Sequence, residues 1–108
     1  MFIAQVIGKS MEPTIKDGSW CLFRPDQGGS RNGKIVLVES KRVVDPETQQ
    51  SFTIKRYFSE KVATDDTFRH TKIILRPDNK NFDDIILENV DGGKFHVVAE
   101  FVEVLPAG

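Results

Sequence analysis

Ser51-Phe52-Thr53-Ile54-Lys55-Arg56-Tyr57-Phe58 changes character residue by residue. With a period of two, Phe52, Ile54 and Phe58 share one face and Thr53, Lys55 and Tyr57 share the other, which reads as a strand rather than a helix. Lys55 is the one lysine embedded in a strand with apolar neighbours. Working outward, short apolar runs recur with turn signals between them. They are 2–7, ended by Gly8; 19–23, stopped by Pro25; 34–39, with its Ile-Val-Leu-Val core; 71–75, before Arg76-Pro77-Asp78-Asn79; 85–87; and 95–105. Asp45-Pro46-Glu47 makes a turn ahead of 51–58, and residues 26–33, rich in Gly, Ser and Asn, read as an exposed loop. Regular short strands with little of helical period predict a mainly β fold: a curled antiparallel sheet or partly open β-barrel.

The 108 residues suit one domain with one core, spanning 1–108. The chain starts abruptly on an apolar run, which fits the C-terminal part of a longer protein. Fifteen Lys and Arg stand against sixteen Asp and Glu, so the basic stripe of a nucleic-acid binder is missing. No basic amphipathic helix, no run near the roughly 20 apolar residues of a membrane span and no signal peptide is present, so the expectation is a cytoplasmic protein that contacts neither membrane nor nucleic acid. A single cysteine, Cys21, excludes an intrachain disulfide and reads as a small buried hydrophobe. His70 and His96 lie too far apart in sequence to suggest zinc, and no metal or other cofactor is expected. Trp20 and Phe23 are expected in the core.

The segment Gly8-Lys9-Ser10-Met11-Glu12-Pro13-Thr14-Ile15-Lys16-Asp17-Gly18 admits three readings. A phosphate-binding loop would need a glycine where Ile3 stands and a helix from the lysine onward, which Pro13 and Gly18 break. A plain surface turn would leave Ser10 an ordinary loop residue. Against that stands its company: Gly, Met, Pro and Asp-Gly fix the backbone while leaving a small hydroxyl at the tip. The third reading is a nucleophilic serine, which needs an adjacent base. His70 or His96 with an Asp could supply one. A lysine is the other known solution, provided that burial keeps its amine neutral, and Lys55 has the surroundings for it.

Taken together, several stretches resemble the LexA and UmuD family of serine peptidases, which shares a superfamily with type I signal peptidases. Gly8 to Ile15 with Asp17-Gly18 is similar to the family's nucleophile box, and Thr53-Ile54-Lys55-Arg56 to its lysine box. Leu75-Arg76-Pro77-Asp78-Asn79 followed by Asp84-Ile85 looks like its later Leu-x-Pro-x-Asn motif, and Arg31-Asn32-Gly33-Lys34-Ile35-Val36 resembles a loop-strand element found there. The matches keep the family's order and cover nearly the whole chain.

The resemblance implies a catalytic Ser10–Lys55 dyad. The backbone N–H groups of Lys9 and Ser10 would form the oxyanion hole, Met11 would line the cleft (or simply pack in the core), and Thr53 would help to orient the lysine. It implies hydrolysis of a peptide bond in the protein itself or in a partner, as in stress-response or phage-type repressors. Asn79 and Asn81 are expected to shape a turn. Family members often carry an N-terminal DNA-binding domain and an upstream cleavage site, neither of which is visible in the nine residues before Ser10. The expected substrate is therefore a protein or peptide, the missing N-terminal region included. Ala107-Gly108 resembles a cleavage pair at the wrong end. The alternative is a catalytically silent regulatory or dimerisation module, a homodimer in which residues 95–105 pair across the interface.

Overall fold

The computed structural model describes residues 1–40, 44–63, 69–88 and 95–106; Ala107-Gly108 lies outside them. Seven strands follow in order: β1 (Phe2–Val6), β2 (Ser19–Pro25), β3 (Ile35–Ser40), β4 (Phe52–Ala63), β5 (Arg69–Arg76), β6 (Ile85–Glu88) and β7 (Phe95–Val104). They form one antiparallel sheet in the spatial order β1-β2-β7-β3-β4-β5-β6, which is not closed. The mainly β expectation holds, and each predicted run falls on a strand. β4 extends five residues past Phe58, because it pairs first with β3 and then with β5. β7 is interior, between β2 and β3, and the free edges of the sheet belong to β1 and β6.

The expected single core is instead two apolar clusters. One joins Val6, Met11, Ile15, Cys21, Phe23, Ile35 and Ala99; the other joins Val36, Val38, Tyr57, Ile73, Leu75, Leu87 and Val97. Ile35 and Val36 are neighbours in β3, and successive strand residues point to opposite faces, so one strand feeds both clusters. The register of β3 against β7 also shifts between Leu37 and Val38, which lets Val97 and Ala99 serve different clusters.

Two expectations about single residues separate here. Cys21 and Phe23 are fully buried, and burial raises the Cys21 thiol pKa. Trp20 is 53% exposed, which corrects its assignment to the core. The two-residue period forbids Trp20 the face that Cys21 and Phe23 occupy.

The fold sets up the site through β4. Residues 52–56 pair with β3, whereas pairing with β5 begins only at Arg56 opposite Arg76. Thr53 and Lys55 therefore lie where β5 has already ended. The segment after β5 turns toward the serine segment instead: Asn79 N–H donates to Ser10 O at 3.0 Å.

Candidate functional site

The serine segment is a compact turn. Glu12 N–H bonds to Lys9 O and Ile15 N–H to Met11 O, the Glu12–Pro13 bond is cis, and Gly18 N–H returns to Val6 O at 2.7 Å. Gly18 has φ +84°, in the left-handed region where glycine carries no steric penalty. Met11 and Ile15 anchor the turn in the first apolar cluster. Asn79 holds it from outside: its Nδ2 donates to Lys9 O at 2.9 Å while its Oδ1 accepts from Asn81 N at 3.0 Å. Beside it, Thr14 Oγ1 donates to Asp78 Oδ2, and Asp78 receives both Nε and Nη2 of Arg56 at 2.9 Å. The Arg56 hydrogen bonds pull the Asp78 carboxyl pKa down, and the Thr14 hydroxyl and the guanidinium charge add to that pull against burial.

These supports bring Ser10 Oγ to 3.0 Å from Lys55 Nζ across 45 residues of sequence. Both residues are buried, 7% and 3% exposed. Nζ also lies 3.0 Å from Thr53 Oγ1, 3.1 Å from the Ile54 carbonyl oxygen and 3.4 Å from Asp45 Oδ2. Thr53 Oγ1 in turn donates to Asp45 Oδ2. Burial would push the Asp45 carboxyl pKa up, but the Thr53 hydroxyl, the Lys55 charge and the amides of Glu47 and Thr48 outweigh it. Asp45 is therefore held below the usual carboxylate range and is ionised at neutral pH.

Ser10, Lys55, Thr53 and Met11 border one cleft of about 390 Å³, and its walls beyond them are largely apolar, with Ala4, Val6, Ile7, Leu37, Phe52 and Ile54 among them. Met11 lines the cleft and packs in the first apolar cluster at 2% exposure. The backbone N–H groups of Lys9 and Ser10 point at a carboxylate: Glu47 Oε2 accepts from Lys9 N at 2.8 Å and Glu47 Oε1 from Ser10 N at 3.1 Å.

Asp45 and Glu47 were legible in sequence only as parts of a turn. Nothing in Asp45-Pro46-Glu47 marks either as a neighbour of Ser10 or Lys55, because those contacts span ten residues or more. The nearest available signal was that two acidic residues precede a buried lysine strand.

Among the described residues that border the cleft there is no histidine. Among the described residues no three His, Cys, Asp or Glu side chains gather as a metal site would require. No helix of the described residues is long and apolar enough to cross a membrane.

No curated protein matches the chain significantly. A family model does: the one described as Peptidase S24-like matches residues 1–102, from β1 into β7. The match spans the serine segment, the lysine strand and the later asparagine turn, and the chain belongs to the Peptidase S24-like family.

Proposed function

We propose that this chain is a serine endopeptidase domain that hydrolyses a peptide bond, in itself or in a partner protein, with Ser10 as nucleophile and Lys55 as general base. The observation that carries the reading is the 3.0 Å approach of two buried side chains, Ser10 Oγ and Lys55 Nζ, at the wall of an apolar cleft. A buried lysine with a serine hydroxyl as its neighbour has a chemical use that a solvated one lacks.

A neutral amine has two N–H groups and one lone pair. Thr53 commits its single proton to Asp45, so it offers Nζ only a lone pair. The Ile54 carbonyl is likewise an acceptor. In the form that acts as base, Lys55 spends both N–H groups on these acceptors and keeps its lone pair for the Ser10 proton. Asp45 acts through Thr53 as a positioning residue.

In the reaction, Ser10 Oγ bonds to the substrate carbonyl carbon as its proton passes to Lys55 Nζ. The carbonyl oxygen, now an oxyanion, is held by the N–H groups of Lys9 and Ser10. Donors in that role are worth about 3–4 kcal/mol each in other enzymes. Collapse breaks the C–N bond, and the leaving amine takes the proton from Lys55. Water then attacks the acyl-Ser10 ester and gives its proton to Lys55. The acid departs and Ser10 recovers its proton. No step calls for a metal or cofactor.

The test is reaction with a fluorophosphonate probe, read by mass spectrometry as a phosphonylated Ser10. Labelling is expected in the native chain and absent in Ser10→Ala, Lys55→Ala and Lys55→Arg, since arginine stays protonated. Labelling of Lys55→Arg at the native rate would refute the lysine base.

A further inference from the structure

The amides that would hold the oxyanion already hold a carboxylate. Each Glu47 oxygen takes one of them, Oε2 from Lys9 and Oε1 from Ser10. The neighbouring Gly8 N–H donates to Asp17 Oδ1 at 2.8 Å, so three successive amides face anions, the pattern of a backbone anion nest. Gly8 is also the floor under the Glu47 carboxylate. A Cβ at this position would come within 2.7 Å of Glu47 Oε1 and 2.9 Å of its Cδ, and φ is +111°. The seat therefore exists only because residue 8 is glycine.

The element that carries Glu47 has a fixed root and a free tip. At the root, Asp45 is buried and bonded to Thr53 and Lys55. Its own N–H reaches Gln50 O, its carbonyl accepts from Gln49 N, and its Oδ1 accepts from the amides of Glu47 and Thr48. These bonds close the turn upon itself without help from the Glu47 side chain. Glu47 is exposed, so its carboxylate can swing out through side-chain rotation while Asp45 stays in place. The two carboxylates on this turn thus have opposite mechanical characters.

We propose that Glu47 is a built-in occupant of the oxyanion site, which a substrate carbonyl must displace before Ser10 can attack; this rests on the peptidase reading above. Sharing is excluded on two grounds. The carbonyl oxygen needs the same two N–H groups, and each has one hydrogen to donate. A carboxylate left beside a developing oxyanion would also repel it in a site where charges are poorly screened. At rest the chain is self-restrained, and a peptide that fills the apolar cleft supplies the binding energy that moves Glu47 aside. A merely structural contact has the opposite signature: its loss would loosen the serine segment and slow the chemistry, whereas loss of an occupant speeds it.

The experiment compares the rate of Ser10 labelling by a fluorophosphonate in the native chain, Glu47→Gln and Glu47→Ala, with Ser10→Ala/Glu47→Ala as control. Glu47→Ala is expected to label faster by about tenfold or more, the worth of charge-assisted hydrogen bonds that need no longer be broken. Glu47→Gln, which keeps one acceptor oxygen but no charge, falls between. An equal or slower rate in Glu47→Ala, with the native chain labelled at Ser10, overturns the proposal and leaves the peptidase reading standing. No labelling in any chain overturns both, and the amide proton resonances of Lys9 and Ser10 then tell where the failure lies. If they move upfield in Glu47→Ala, the contact is real and the chemistry is absent; if they stay put, Glu47 never held the amides.

Discussion

Thr53 has one proton to give, and the ionised Asp45 can only accept it. This small constraint decides which way the Lys55 amine faces, and it makes a sharp prediction for single residues. Thr53→Val keeps the shape and loses the acceptor, so Ser10 labelling should fall about ten- to a hundredfold, the usual cost of a misaligned reacting group. Thr53→Ser should restore most of the rate, and a Thr53→Ser chain as slow as Thr53→Val would show that packing, not the hydroxyl, matters. Asp45 carries a second consequence. Its side chain and that of Lys55 are both almost fully buried as an ion pair. Removing one partner of such a pair leaves an uncompensated charge, so Asp45→Ala should destabilise the chain by about 3–5 kcal/mol in urea unfolding. A loss below about 1 kcal/mol would mean that water compensates Lys55.

At the scale of elements, the serine segment is held by its own glycines and by the turn after β5. Gly18 and Gly8 both sit at positive φ, but only Gly8 has atoms where a Cβ would go. Gly18→Ala should therefore cost about 1–2 kcal/mol from backbone strain alone. Gly8→Ala should cost at least as much in urea unfolding and should also release the Lys9 and Ser10 amide resonances from Glu47. Equal stability losses with unmoved resonances would contradict the crowding at residue 8. Asn79 is the clamp between the two segments, bonding to Lys9 O through its side chain and to Ser10 O through its N–H. Asn79→Ala removes only the first and the internal turn bond to Asn81. It should lower the labelling rate while costing about 1 kcal/mol of stability; native labelling would place the clamp wholly in the backbone.

For the molecule as a whole, the carboxyls of Asp26, Asp45, Asp78 and Glu100 are all held below their ordinary pKa range. Hydrogen bonds from Arg31, Arg56 and Arg24 lead for Asp26, Asp78 and Glu100, while at Asp45 burial is outweighed by its donors. A carboxyl depressed in the folded state contributes stability that is complete above its unfolded value and is lost as pH falls through the lower, folded one. The urea midpoint should thus stay nearly level from about pH 7 to pH 5 and drop below about pH 4. Asp78→Asn, which removes one such group, should flatten the drop. A midpoint unchanged between pH 6 and pH 3 would mean that these pairs are too well solvated to matter. The two apolar clusters share β3 and β7, so unfolding is expected as one transition despite the divided core.

Period-two alternation and turn residues determined seven strands, because those signals are local: a strand's faces and a glycine's freedom depend on neighbours in the chain. Ser10 and Lys55 were legible for a related reason, a small hydroxyl in a tight turn and a lysine in an apolar strand being out of place locally. Alternation puts Trp20 and Phe23 on opposite faces of β2 but could not say which face meets the core; packing decided for Phe23. Nor could it order the strands, place β7 inside the sheet or divide the core in two. Asp45 and Glu47 belong with these. An acidic residue next to proline has the same local meaning in any turn, and what it touches is decided by strand pairing across tens of residues. The tertiary structure alone brought one carboxylate behind the lysine and the other onto the amides beside the serine, because long-range contacts depend on how the chain returns to itself.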